Sequence, residues 1–151
     1  MQFSDELKAT ARIVLANTMV MYFKAHTYHW NVEGKNFSQY HEFFGDIYEE
    51  VYGSIDKAAE EIRTLDEYAP ASLSKILEET TISEDEEKPL TVELMLTNLL
   101  DANEEVMVSL NSLLDTSTKE KCQGLANWAA DRLDIHSKHR WMIRSFLKGN
   151  D

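Results

Sequence analysis

The sequence predicts an all-α protein, a four-helix bundle with a short helix in the long connection between its second and third helices. Three observations predict this fold. Apolar residues recur with helical period over four long segments, and only two prolines and five glycines interrupt the 151 residues. No strand pattern, internal repeat or glycine-rich phosphate loop competes with the helices. The chain is expected to form one domain, residues 1–151, large enough to fold without disulfides.

The first helix is predicted over about residues 4–32. Ser4 followed by two acidic residues is a typical helix start, and Gly34 is a typical stop. The helix carries two apolar stripes. One comprises Leu7, Ala11, Val14, Met21, Ala25, Tyr28 and Val32, and the other comprises Ile13, Ala16, Val20, Phe23 and Trp30. A helix with two apolar faces must bury both, so we expect it to contact its own bundle and another subunit.

The same periodicity predicts the remaining helices. They are expected over about residues 38–67, 72–79, 91–114 and 118–148, the last ending at Gly149. The segment 72–79 (SLSKILEE) is the short helix of the connection, which Pro70 and Pro89 bracket. Residues 83–88 (SEDEEK) are expected to be a solvent-exposed charged run. Two long helices, a crossover and two more long helices are typical of a four-helix bundle.

Composition limits the class of protein. Twenty-seven acidic residues against 15 lysines and arginines give a net charge of −12, which argues against a surface that neutralises phosphates. This charge suits a protein that attracts cations, although solubility alone would also explain it. The single cysteine, Cys122, predicts a reducing compartment. Without a run of about 18 apolar residues or a secretory signal, we expect a cytoplasmic protein with no membrane partner.

Histidines gather on both sides of the turn after the first helix. His29 lies five residues before Gly34 and His41 seven after it, so an antiparallel hairpin places their imidazoles at nearly the same height. Asp56 and Glu60 are four residues apart on one helix face, as two carboxylate ligands of one ion would be. His41 precedes Asp56 by 15 residues, which is about 22 Å along a helix. One subunit therefore cannot place all four groups around one metal ion.

Two subunits related by a two-fold axis can do so. If their second helices cross antiparallel, His41 of one chain lies opposite Asp56 of the other, and the axis passes near Glu49. Gly45 and Gly53 lie almost symmetrically about that point and allow close approach. Two identical sites result, each with the histidines of one chain and the carboxylates of its partner. These ligands suit Fe(II) and its oxidation, although Zn(II) or Mn(II) would also bind.

A structural role is the commoner one for a lone histidine or a carboxylate pair four residues apart. The Glu-x-x-His motif of intrabundle di-iron centres is also absent. However, the segments HWNVEGKNFSQYHEFF, SIDKAAEEIRTL and SKHRWMIRSFL closely resemble the Dps family (DNA-binding proteins from starved cells), the mini-ferritins. The likeness covers nearly the whole chain.

The resemblance implies a ferritin-like subunit that assembles into a hollow homododecamer. It also implies ferroxidase centres between subunits that oxidise Fe(II) to Fe(III), preferentially with hydrogen peroxide and more slowly with oxygen. Ferric mineral would be stored in the cavity, and the reaction would protect against oxidative damage. The family's catalytic metal ligands map onto His29, His41, Asp56 and Glu60.

Two departures from the family pattern change these expectations. Members often carry an acidic residue four positions after the second histidine, where this chain has Gly45. Asp46 is adjacent but turned about 100° around the helix, so the second iron position is expected to be weaker or differently arranged. Members that bind DNA unaided often have a lysine-rich tail, whereas this chain starts its helix almost at once and ends in KGND. We therefore expect weak or no intrinsic DNA binding.

Two alternatives from other classes stay open. One is a protective or DNA-compacting shell whose metal site is weak, vestigial or occupied by zinc. The other is a monomeric helical binding module, which the two-faced first helix disfavours.

Further residues are candidates for supporting roles. Trp30 is expected to pack against the site or hydrogen-bond a bound water, or else to anchor the dimer interface. Carboxylates of the second helix are candidates for mineral nucleation, although ordinary solvent exposure would explain them, and two acids of the last helix are candidates for three-fold pores. These are Glu42, Asp46 and Glu49 for nucleation and Asp131 and Asp134 for pores. His26 is expected to be a structural histidine or to support the metal ligands from behind, and His136 and His139 are expected to pack or pair locally.

Overall fold

The computed structural model describes residues 2–86, 88 and 90–148. Its helices are α1 (Asp5–Asn31), α2 (Phe37–Gly53), α3 (Ile55–Thr64), α4 (Leu73–Glu79), α5 (Val92–Lys119) and α6 (Gln123–Lys148). The helix α1 packs against α2, α3, α4 and α5, and α5 packs against α6. The predicted four-helix bundle with a short helix in the crossover is therefore confirmed. No helix among these residues is long and apolar enough to cross a membrane.

Three helices begin at hydroxyl caps. The side chains of Ser4, Ser72 and Thr91 each accept a hydrogen bond from the backbone N–H three residues later. Such a bond satisfies one of the free N–H groups of the first helical turn. The predicted starts of α1, α4 and α5 are confirmed to within one residue, because a local side chain determines each of them.

The second helix is not continuous over 38–67, so that prediction is wrong. Ser54 separates α2 from α3. Its backbone N–H donates to the Val51 carbonyl at 3.1 Å, and its hydroxyl donates to the same carbonyl at 2.7 Å. These short local bonds compete with the regular helical ladder. The helix α3 then ends at Thr64, and Asp66, two residues later, adopts a left-handed φ of 63°.

The predicted boundary between the last two long helices is also wrong. Instead of ending at Leu114, α5 continues to Lys119, and α6 begins at Gln123 rather than near residue 118. Hydroxyls of Thr116 and Ser117 bond back to carbonyls one turn earlier, at 2.8 and 2.6 Å. These bonds keep the hydroxyls inside the helix, and the polar stretch that suggests a loop is helical. Two predicted boundaries lie outside the described residues, namely Pro89 at the end of the connection and Gly149 at the end of the last helix.

The core lies between the long helices and includes the whole first apolar stripe of α1. Phe44, Leu96 and Ile143 are among the largest fully buried side chains. The second stripe of α1 is only partly covered within one chain, because Phe23 and Trp30 remain 52% and 55% exposed. Their rings meet edge to face with centroids 6.1 Å apart.

The crossover is attached to α1 by an ion pair between buried Lys24 and half-buried Asp85. Lys24 donates to the Ser83 carbonyl at 2.8 Å and to the Asp85 carboxylate at 2.9 Å. The same carboxylate accepts hydrogen bonds from the Tyr28 hydroxyl and, at 3.2 Å, from the Asn98 amide. The expectation that residues 83–88 form a solvent-exposed charged run is therefore wrong at Asp85, because three donors hold it against the bundle.

Candidate metal centre

The turn between α1 and α2 aligns the two helices. Its backbone needs two left-handed residues, and the chain supplies Gly34 with φ 98° and Asn36 with φ 64°. Glycine and asparagine are the residues that adopt this conformation most readily. The turn closes α1 through a hydrogen bond from the Val32 N–H to the Tyr28 carbonyl at 3.0 Å. The chain therefore reverses over residues 32–36 and brings α2 back along α1.

His29 and His41 meet across this hairpin, as predicted. Nδ1 of His29 lies 2.6 Å from the His41 carbonyl oxygen, and Nδ1 of His41 lies 2.7 Å from the His29 carbonyl oxygen. The two imidazoles stack with centroids 3.7 Å apart and an interplanar angle of 17°. Each histidine is therefore held by the backbone of the other.

These contacts determine which nitrogen of each ring carries the proton. A carbonyl oxygen can only accept a hydrogen bond, so Nδ1 of both His29 and His41 must be the donor. In the neutral rings, Nε2 then keeps a free lone pair, which is the form of imidazole that binds metal ions. Carbonyl contacts on the opposite ring nitrogen are a typical outer shell of a metal-binding histidine.

A cluster of aromatic rings around His26 lies beside the histidine pair, with the His26 and His29 ring centroids 6.1 Å apart. His26 stacks on Tyr48 with centroids 3.8 Å apart, contacts Trp30 at 4.3 Å and pairs with the Tyr22 hydroxyl at 2.9 Å. Burial, and to a smaller extent the nearby charge of His29, lowers the pKa of His26. His26 is therefore held in a local aromatic cluster. Trp30 lies beside it on the protein surface and not in the core of the subunit.

The predicted carboxylate pair lies on α3. Asp56 is in the first turn of this helix and Glu60 follows four residues later, and both are exposed. Neither forms a contact ion pair with another described residue. Lys57 pairs instead with Glu61 at 2.6 Å, and this hydrogen bond is the main reason that the pKa of Lys57 is raised. Both carboxylates therefore stay available for a cation.

One chain does not bring the two pairs together. Across residues 2–86, 88 and 90–148, no three side chains of His, Cys, Asp or Glu lie close enough to hold a metal ion. The histidine pair and the carboxylate pair are thus two separate halves in this subunit. The role of His29, His41, Asp56 and Glu60 as ligands of one ion stays a prediction.

Gly45, which stands where family members often carry an acidic residue, lies directly beneath His29. It is buried, and a Cβ atom placed there would come 3.1 Å from Nδ1 and 3.2 Å from Cε1 of that ring. The neighbouring Asp46 is exposed. The backbone of α2 at this position is therefore covered by an imidazole.

The other candidate acids all face solvent. The nucleation candidates lie on α2 and the pore candidates on α6, and none of them joins the histidine pair. The exposed residues are Glu42, Asp46, Glu49, Asp131 and Asp134. Their proposed roles depend on surfaces that only an assembly would form, so these stay predictions.

A second polar cluster lies inside the bundle, and sequence reasoning missed its centre. Arg132 donates two hydrogen bonds to Glu50, at 2.6 and 3.0 Å, and His139 donates to the same carboxylate at 2.7 Å. Burial alone would raise the pKa of Glu50. Hydrogen bonds from His139 and Arg132, together with the positive charge of Arg132, outweigh it and lower the pKa to about 2.

His136 extends this cluster to α5. Its Nε2 accepts from Arg132 at 3.0 Å, and its Nδ1 donates to the Asn103 side chain at 2.8 Å. Burial first, and then the charge of Arg132, places the pKa of His136 well below its ordinary value. The ring is therefore neutral, and both of its nitrogens are hydrogen-bonded. Arginine and two histidines on one face of α6 were the available signal, but nothing in the sequence identified Glu50 as their partner.

Comparison with known proteins agrees with the helical fold. The family of the ferritin-like domain matches residues 12–149. A DNA protection during starvation protein of Brevibacillus brevis is 33% identical over 141 residues, which cover 89% of this chain and 89% of that protein.

Two solved structures share the fold. The Dps structure from Thermosynechococcus elongatus superposes with a TM-score of 0.90 at 27% identity, over 95% of this chain and 90% of that one. A DPS structure from Vibrio cholerae, described as a member of a broad superfamily of ferritin-like diiron-carboxylate proteins, gives a TM-score of 0.89 at 25% identity, over 97% and 98% of the two chains.

Proposed function

Because the chain belongs to the Dps family of ferritin-like proteins, we propose that it is a mini-ferritin that oxidises Fe(II) and stores the ferric product as mineral. The reaction takes place at ferroxidase centres between two-fold related subunits of a hollow homododecamer. The observation that carries the proposal is the histidine pair, because His29 and His41 hold each other with both Nε2 atoms free.

Each half of the centre has its own part. His29 and His41 of one chain supply two neutral nitrogen ligands in a fixed orientation. Asp56 and Glu60 of the partner subunit supply two negative charges, which attract Fe(II) and offset the higher charge of Fe(III). Imidazole with carboxylate and open positions is a donor set typical of iron that reacts with an oxidant. The description of the Vibrio cholerae relative as a ferritin-like diiron-carboxylate protein supports iron as the substrate.

Hydrogen peroxide is the proposed preferred oxidant, and oxygen a slower one. Peroxide takes one electron from each of two Fe(II) ions, its O–O bond breaks, and both oxygen atoms are reduced to the level of water. The resulting Fe(III) hydrolyses, releases protons and joins the mineral. Consuming peroxide together with Fe(II) also removes both reactants that generate hydroxyl radicals, which gives the protein a protective role.

Rapid mixing of Fe(II) with peroxide tests this proposal. The assembled protein should oxidise iron well above the buffer rate, whereas the double variant His29→Ala with His41→Ala should fall to that rate. A matched control is Asn31→Ala with Gln39→Ala, which changes two exposed residues beside the same turn and should keep the activity. Size-exclusion chromatography verifies that all three proteins assemble alike.

The same measurement separates the alternative. A shell that protects or compacts DNA, with a vestigial or zinc-occupied site, would show only the buffer rate before any substitution. Unchanged oxidation by the double histidine variant would instead overturn the assignment of the ligands.

A further inference from the structure

The close contact between Gly45 and His29 points to a role for the glycine itself. A side chain at position 45 would meet the His29 ring at 3.1 Å, closer than ordinary van der Waals contact. Gly53, on the same helix, has nothing within 4 Å of the equivalent position. Within this chain, the lack of a side chain therefore matters for packing at Gly45 and not at Gly53.

The His29 ring has little freedom to move away. Its Nδ1 is held at 2.6 Å by the His41 carbonyl, and its face stacks on the His41 ring. Tyr48 borders it on another side, with ring centroids 5.3 Å apart. A Cβ at position 45 would approach Nδ1, the atom that makes the hydrogen bond. Displacing the ring would therefore strain the contact that determines which nitrogen is protonated.

We propose that Gly45 is a positioning residue of the histidine half-site, because its missing side chain lets His29 lie against α2 and lock with His41. The half-site of this chain is then a rigid pair of imidazoles with no carboxylate of its own. A side chain that adds no ligand at position 45, such as the methyl group of alanine, weakens metal binding by disturbing His29. The assumption that this histidine pair binds metal rests on the proposed function, whereas the first test below does not depend on it.

Solid-state ¹⁵N NMR of the metal-free, histidine-labelled protein is that first test. Five histidines give few signals, and the two tautomers of neutral imidazole have distinct shifts. The unchanged protein and the control Gly124→Ala, which changes an exposed glycine of α6 with nothing within 4 Å of the added Cβ, should both show His29 and His41 with the proton on Nδ1. Gly45→Ala should shift or split the His29 signals. If Gly45→Ala leaves them unchanged, the positioning role is wrong.

Metal binding provides the second test. Titration with Co(II), followed by its visible absorption, should give about 10- to 100-fold weaker binding for Gly45→Ala and no change for Gly124→Ala. Unchanged Co(II) binding by Gly45→Ala would overturn the inference.

Failure of the proposed function has a different signature. The unchanged protein would then oxidise Fe(II) at the buffer rate and show no saturable Co(II) binding, while the NMR comparison would still decide the role of Gly45.

Discussion

His29 and His41 lock each other through reciprocal hydrogen bonds, each Nδ1 donating to the other's backbone carbonyl at 2.6 and 2.7 Å. All parts of this lock belong to one hairpin, so it needs no group from a partner chain or a metal ion. Two histidines that bind one metal ion need surrounding hydrogen bonds that hold both rings in a fixed orientation. The carboxylate half has no such lock, because Asp56 and Glu60 are exposed on α3.

Subunit mixing should reveal a shared site. Chains with His29→Ala and His41→Ala lack one half, and chains with Asp56→Asn and Glu60→Gln lack the other, so each protein alone should be inactive. After equal amounts are dissociated and reassembled together, roughly a quarter of the peroxide-dependent oxidation rate should return. Half of the pairs would then be mixed, and one of the two sites in each would be intact.

The control for this experiment is reassembly of each variant by itself, which should stay at the buffer rate. Mixed particles that also stay at the buffer rate would contradict a centre shared between subunits.

Acid should weaken the bundle through Glu50. Its pKa is lowered from 4.5 to about 2, so its stabilising effect is fully present above pH 4.5 and is lost as the pH falls toward 2. With allowance for its partial exposure, Glu50→Gln should lower the free energy of unfolding by roughly 2 kcal/mol at pH 7. The difference should vanish near pH 2, as thermal or denaturant unfolding measured across the pH range would show.

Glu49→Gln is the matched control, because Glu49 is the exposed neighbour and its replacement should change stability by less than about 0.5 kcal/mol. A difference between Glu50→Gln and the unchanged protein that does not depend on pH would contradict this prediction.

A second, higher acid transition should come from His136. Its pKa lies well below 6.5 because the ring is buried and faces the Arg132 charge. Folding therefore favours the neutral ring, and this stabilising effect is complete above about pH 6.5 and declines below it. Stability should already decrease between pH 6.5 and 5 in the unchanged protein. A flat unfolding midpoint over that interval would contradict the prediction.

The link between α1 and the crossover should contribute measurably to stability. Asp85→Ala leaves the buried Lys24 ammonium without its anionic partner and should cost about 2–3 kcal/mol. The comparison is Glu78→Ala, which breaks the exposed pair with Lys75 and should cost less than about 0.5 kcal/mol. Equal losses in a denaturant titration would mean that the buried pair has no special role.

DNA binding should be weak, because the net charge of −12 repels phosphates. A gel-shift assay at neutral pH and physiological salt should show no complex. Any binding at low salt should disappear as salt is added. Tight binding at physiological salt would contradict this prediction.

The sequence was sufficient to predict that long helices form, though not all of their bounds, and that the two histidines meet. Helical periodicity marked the buried stripe of α1, and the capping hydroxyls of Ser4, Ser72 and Thr91 marked three starts. The spacing of His29 and His41 around Gly34 was enough to bring the rings together. All of these depend on neighbours along the chain or on a single short turn, which is why they could be predicted.

Boundaries and long-range partners could not be predicted in the same way. At the break at Ser54 and in the extension of α5 to Lys119, serine hydroxyls donate to nearby backbone carbonyls. Such bonds form both at helix ends and within helices, so the residue types alone do not predict where a helix stops. The pairing of Asp85 with Lys24 joins residues 61 positions apart. Charge alone gave no indication that this acid would be held against the bundle.

By itself, the sequence determined the helical class of this protein, its acidic character and the residues of two candidate half-sites, because periodicity, charge and hairpin spacing are local properties. Only the tertiary structure decided the tautomers of His29 and His41, the burial of Gly45 beneath the ring and the joining of Glu50 to Arg132. These features depend on distances between atoms of different helices, and such distances exist only once the helices have packed.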